Sequence, residues 1–93
     1  MTHAGIAFEA AMTREQAVEL ARLMAEARPT RPAGVVTASL EYSGGRGRLV
    51  AVWHDRDTLD RYLAQAPVPR GTELMRKIGL EPEVTTFDIL ECG

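Results

Sequence analysis

Few residues in this chain of 93 can carry chemistry, and their spacing excludes more reactions than it allows. His3, His54 and Cys92 are too scattered to form a metal site of recognisable ligand spacing. Cys92 is the only cysteine, so there is no internal disulfide, and nothing beside it, Glu91 included, would lower its pKa. Gly44-Gly45-Arg46-Gly47 looks superficially like a phosphate loop. It lacks the lysine-serine ending and opens a strand instead of a helix, which suits a hairpin turn. Arg46 to Trp53 partly echoes the RNA-recognition signature, but Arg48 and Val50 stand where stacking aromatics are required. His54 is the only histidine inside the expected fold, and histidine is the residue type best suited to general base catalysis, so it is the best general base available. Its position just after a strand equally suits a solvated side chain.

Composition narrows the partners. Hydrophobic residues make up 45% and charged residues 26%, ordinary for a globular chain of one domain spanning 1–93. A chain this short buries only about 60% of its unfolded surface, so the core is thin. No apolar run approaches the roughly 20 residues of a membrane span. The start, Met1-Thr2-His3-Ala4-Gly5-Ile6, lacks a basic segment, and a cytoplasmic protein is expected. The net charge of −2 gives no electrostatic reason to bind nucleic acid or an anionic membrane. No metal, haem, flavin or nucleotide cofactor is expected.

The elements that must position these residues follow from apolar spacing. Ala4 to Ala10 reads as a strand and Arg14 to Ala27 as a helix. Thr13 and Gln16 form a capping box, and Ala17, Leu20, Ala21, Met24 and Ala27, widened by Val18 and Leu23, make the apolar stripe. Arg28-Pro29-Thr30-Arg31-Pro32 ends that helix, because residues before proline leave the helical region. Gly34 to Tyr42 and Arg48 to His54 form a hairpin around Ser43 to Gly47. Asp57 to Ala66 is a second helix, capped by Asp55 or Asp57 and striped by Leu59, Tyr62, Leu63 and Ala66. A short helix from Thr72 to Ile78 precedes a last strand, Val84 to Glu91. This order is the ferredoxin-like βαββαβ plan: an α+β subunit with a four-stranded antiparallel sheet and the main helices on one face.

Leu49-Val50-Ala51-Val52-Trp53 is apolar on both faces, where a strand covered on one side should alternate. Val36, Leu40, Val50, Val52, Phe87 and Ile89 are poor water-facing residues, and both crossovers put their helices on the same side. A homodimer packing sheet on sheet is the simplest way to cover the other face.

Three segments carry a resemblance: Pro32-Ala33-Gly34-Val35-Val36, Leu49 to Trp53 followed by Asp55-Arg56-Asp57-Thr58-Leu59, and Glu81 to Ile89. With the element order, they make the chain similar to the antibiotic biosynthesis monooxygenase branch of the dimeric α+β barrel superfamily, over nearly its whole length. Members commonly place a histidine late in the second helix, used by haem-degrading relatives as an iron ligand. Here that place holds Arg61-Tyr62, which disfavours haem chemistry.

The resemblance implies a pocket between sheet and helices for a hydrophobic, aromatic or polyketide-type small molecule. In such a pocket Trp53 could stack on a planar ligand, or be ordinary core. His54 and Tyr62 are the catalytic candidates, with Tyr42, Trp53, Arg70 and Asp88 as substrate-contacting ones. Three functions compete: a cofactor-free monooxygenase, a cyclase or isomerase transferring protons through His54 or a carboxylate such as Asp88, and a non-catalytic binding or accessory protein.

Overall fold

Residues 2–91 are described by a computed structural model, so Cys92 lies outside the described residues. The order is β1 (His3–Ala11), α1 (Arg14–Ala27), a 3-10 turn (Arg28–Thr30), β2 (Val35–Ser43), β3 (Arg46–Trp53), α2 (Arg56–Gln65), α3 (Arg70–Arg76) and β4 (Glu83–Ile89). The strands form one antiparallel sheet in the order β2-β3-β1-β4, the ferredoxin-like arrangement expected from the sequence.

Local chemistry sets the ends of these elements. The Gln16 N–H donates to Thr13 Oγ1 at 3.1 Å while the Thr13 N–H donates to Gln16 Oε1 at 2.8 Å, closing both halves of the capping box. Asp55 caps α2 by accepting from the Thr58 N–H and hydroxyl, each at 2.7 Å. Those two bonds to Thr58, with the charges of His54 and Arg61 behind them, hold its carboxyl below the usual range. Gly44 and Gly45, at φ 57° and 79°, turn the β2–β3 hairpin in a conformation that side chains resist. The hairpin tip also reaches the start of α1, where the Met12 N–H donates to the Gly45 carbonyl at 2.9 Å.

Pairing register divides the sheet into two unlike faces. Ala4, Ile6, Phe8 and Ala10 of β1 lie beside Trp53, Ala51, Leu49 and Gly47 of β3. This face packs against Ala17, Leu20, Leu59, Leu74 and Met75 of the helices. Leu40, opposite Leu49, belongs here too, and not on the open face where its composition had grouped it. Val36 falls at a register shift between Val35 and Thr37 and is exposed. In α1 the buried stripe is narrower than the spacing implies, since Val18 and Ala21 both point outward.

The open face carries Gly5, Ala7, Val50, Val52, Phe87 and Ile89. The Phe87 ring lies over Gly5 so closely that a β-carbon there would sit 2.3 Å from it. Toward the hairpin this face becomes charged: Arg48 is 3.0 Å from Glu9 and 3.5 Å from Glu41, and lies 5.9 Å from the Phe87 ring centre. Among the described residues no helix is long and apolar enough to cross a membrane.

Helix α3 begins at Arg70, two residues ahead of the start expected at Thr72, because Pro69 serves as its N-cap. Gly71 in its first turn sits on the Phe8 ring, and a β-carbon there would come within 2.4 Å. Replacing Gly71 by alanine should therefore lower stability by about 1–3 kcal/mol, the usual cost of overpacking a core contact. Urea unfolding checks this, and an unchanged midpoint would mean that the Phe8 ring swings aside.

Candidate functional site

An apolar cleft opens where the helix face of the sheet meets the end of α1 and the start of α3. Its floor is Ile6, Phe8, Leu49 and Ala51, and its sides are Met24, Leu74, Tyr62 and Trp53. It encloses about 100 Å³ and is broadly open to solvent. Apolar cavities of about 150 Å³ admit a benzene ring. At about two thirds of that volume the interior takes part of one ring, with the rest of the molecule in the open mouth.

Trp53 is the most constrained polar residue of the wall. Strand alternation turns it toward the helices, and only 3% of its surface is exposed. Gly34 makes room for it: a β-carbon there would stand 2.7 Å from Cε3 and 2.8 Å from Cζ3 of the indole. Nε1 is on the opposite edge of the ring, buried, and without a hydrogen-bond partner among the described residues. A buried donor left unpaired costs about 1–3 kcal/mol, and because Nε1 has almost no accessible surface, an acceptor in the cleft reaches it only with a small tilt of the indole.

Tyr62 stacks on Trp53 with ring centres 4.8 Å apart and planes tilted by 36°. The stripe of α2 aims it inward, and its hydroxyl oxygen accepts the Arg70 N–H at 2.8 Å. That N–H belongs to the first turn of α3, where helices leave donors unpaired. The Tyr62 O–H is thereby left to donate. Arg70 turns its guanidinium to the 3-10 turn, donating to Thr30 Oγ1 at 3.2 Å and to the Thr30 carbonyl at 3.1 Å.

Three of the six residues expected at the site, Trp53, Tyr62 and Arg70, thus meet at one cleft. The other three lie elsewhere. His54 follows Trp53 directly, so the pleat that turns Trp53 inward turns His54 out. Its side chain is 62% exposed, with Nδ1 3.7 Å from Asp55 and the ring edge-on to His3. As a base beside the cleft it is therefore corrected by strand geometry. Tyr42 donates to the Met12 carbonyl at 3.3 Å and pins the hairpin to the β1–α1 junction. Asp88 binds Arg56 at 2.9 Å, tying the first turn of α2 to β4.

Sequence reasoning missed Arg28 and Arg31, which line the cleft mouth. Arg28 opens the 3-10 turn and Arg31 follows its end, so the turn brings both to the same rim. The signal was present in Arg28-Pro29-Thr30-Arg31, read only as a helix stop. No histidine or carboxylate among the described residues lines the cleft. Among the described residues no three such side chains are grouped to hold a metal ion.

No family model matches the chain, and no curated protein sequence matches it. Solved structures do match in fold. A protein of unknown function from Nitrosomonas europaea superposes with a TM-score of 0.68 at 16% identity, over 100% of this chain and 94% of that one. A protein described as a candidate antibiotic biosynthesis monooxygenase from Bordetella bronchiseptica gives 0.60 at 18%, over 94% and 96%. SnoaB, a cofactor-independent oxygenase from Streptomyces nogalater, gives 0.57 at 17%, over 99% and 93%. The chain thus shares the α+β subunit fold of antibiotic biosynthesis monooxygenase-like structures.

The Tyr62 hydroxyl should matter to structure as well as to any ligand. Tyr62→Phe keeps the ring on Trp53 but strands the Arg70 N–H, and should cost about 1 kcal/mol. Hydrogen exchange should quicken first at the start of α3, and unchanged protection there would show that water replaces the hydroxyl.

Proposed function

We propose that the chain is a small cofactor-independent monooxygenase acting on a hydrophobic aromatic or polyketide-type molecule in a biosynthetic pathway of the cytoplasm. The observation that carries this reading is the buried, unpartnered Nε1 of Trp53 in an apolar cleft, stacked on a tyrosine whose O–H is free to donate. SnoaB, similar in fold, is described as a cofactor-independent oxygenase, which supports the same reaction class.

Oxygenation without a cofactor requires an electron-rich substrate anion, a phenolate or an enolate. Indole N–H and phenol O–H donors favour such an anion over its conjugate acid, and they act most strongly where water is excluded. Dioxygen can then take electrons from the anion directly. A methylene beside the anion becomes a carbonyl, and the second oxygen atom leaves as water, so no external reductant is needed. A cyclase or isomerase would need a general acid or base at the reacting carbon, and among the described residues of the wall only the Tyr62 hydroxyl approaches that role.

An anthrone-type phenol is a suitable probe. Its turnover should consume dioxygen and yield a product one oxygen heavier and two hydrogens lighter. Tyr62→Phe and Trp53→Phe should each lower turnover by about tenfold or more, the loss of one donor to developing charge. His54→Ala should not show the ~10² loss that removing a general base causes. A product isobaric with the substrate would overturn the oxygenase reading in favour of the isomerase.

We further propose that the working form is a homodimer joined through the open sheet face. Val50, Val52, Phe87 and Ile89 make its apolar centre, and the Arg46, Arg48, Glu9 and Glu41 charges at the hairpin end suit a two-fold contact. Sedimentation at micromolar concentration should give twice the chain mass, and Val52→Asp should return the monomer. A wild-type monomer at that concentration would refute the dimer.

A further inference from the structure

We infer that the substrate enters the cleft already ionised, as an organic acid whose anion sits among Arg28, Arg31 and Arg70 while its aromatic body lies against Trp53. The inference rests on the reading of the cleft as a small-molecule site and adds the charge of what it takes.

Two observations meet here. The first is the distribution of arginine partners. Arg22, Arg46, Arg48, Arg56 and Arg76 each have a carboxylate within ion-pair distance. Arg28, Arg31 and Arg70 have none among the described residues, and these three share one rim. The remaining unpaired arginines, Arg14 and Arg61, are exposed on helix surfaces away from the cleft. In a chain of net charge −2, three guanidinium groups around one opening, none with a carboxylate at ion-pair distance among the described residues, make a local anion site. Their charge is permanent, because arginine does not deprotonate in proteins.

The second observation is that, among the described residues, the wall has neither histidine nor carboxylate. Nothing among the described residues of the wall selects for a neutral acid, whereas a preformed anion finds three cations. Arg70 spends two N–H groups on Thr30, and a guanidinium has five. The remaining donors are held in place by that anchorage, and Arg28 and Arg31 stand one 3-10 turn apart beside them. The neighbouring depression between α1 and α3 offers no such selection, because Glu26 and Glu73 offset Lys77 and Arg70 there.

Two probes of the same shape separate charge from shape: 2-naphthoate and 2-naphthamide. Trp53 is the only tryptophan, so its indole N–H gives a single resonance in a nitrogen-proton correlation spectrum. Titrating the full chain at low salt, naphthoate should shift that resonance with an affinity about tenfold or more above that of naphthamide. The gap should narrow as salt screens the exposed guanidinium groups. In the double variant Arg28→Gln, Arg31→Gln the gap should fall to about threefold or less, with naphthamide binding unchanged. Equal affinity of the two probes for the natural chain would overturn the inference and leave the aromatic site standing. A gap that survives in the double variant would overturn the assignment to Arg28 and Arg31. If neither probe moves the indole resonance, the small-molecule reading of the cleft fails and the inference falls with it.

Discussion

The contact on which the cleft depends is the Phe8 ring against Gly71. Because no β-carbon separates them, the first turn of α3 lies directly on the central strand. That placement brings the Arg70 N–H to the Tyr62 hydroxyl and the Arg70 guanidinium to Thr30. Tyr62 in turn is held against Trp53, and Thr30 carries the 3-10 turn with Arg28 and Arg31. One close approach between a strand and a seven-residue helix thus orders most of the polar groups around an apolar hollow. A side chain at position 71 would lift α3 and loosen all of them together.

The resulting site is chemically one-sided. Its polar groups are donors and cations: an indole N–H, a phenol and three guanidinium groups, with no carboxylate or imidazole among the described residues of its lining. Elsewhere the chain balances its charges, as in the exposed pairs of Arg22 with Glu19 and Glu26, or Arg76 with Glu81 at 2.8 Å. Such exposed pairs contribute little to stability. Leaving the cleft arginines outside this pattern therefore costs the fold little and keeps a local positive potential.

The backbone plan was legible because each element carries its own signal. Thr13 and Gln16 mark the start of α1, Asp55 caps α2, and paired glycines turn the hairpin, all from interactions a few residues long. Trp53, Tyr62 and Arg70 were also within reach, since resemblance and residue type together pointed to them. The failures have one cause, that facing is a tertiary property. Adjacency at the end of β3 put His54 with Trp53, and composition alone put Leu40 with Val50. Asp88 and Tyr42 are polar residues with structural partners, Arg56 and the Met12 carbonyl, that no local spacing reveals. Arg28 and Arg31 were hidden by their neighbours, because two prolines read more loudly as a stop than as a turn.

The strand order carries a consequence for how the chain is made. β1 is synthesised first, yet it occupies an interior place in the sheet, between β3 and β4. Its partners begin only at Arg46 and Glu83, so a nascent chain exposes Ile6-Ala7-Phe8 with both backbone edges unpaired while most of the protein is still to come. Helix α1 and the β2–β3 hairpin depend on local contacts and can form in the meantime. Glu9, standing within the strand, is the one charge that interrupts this sticky segment before Arg46 and Arg48 arrive to meet it. Within β1 itself, that single carboxylate is the charge that resists self-association until the partner strands pair with it.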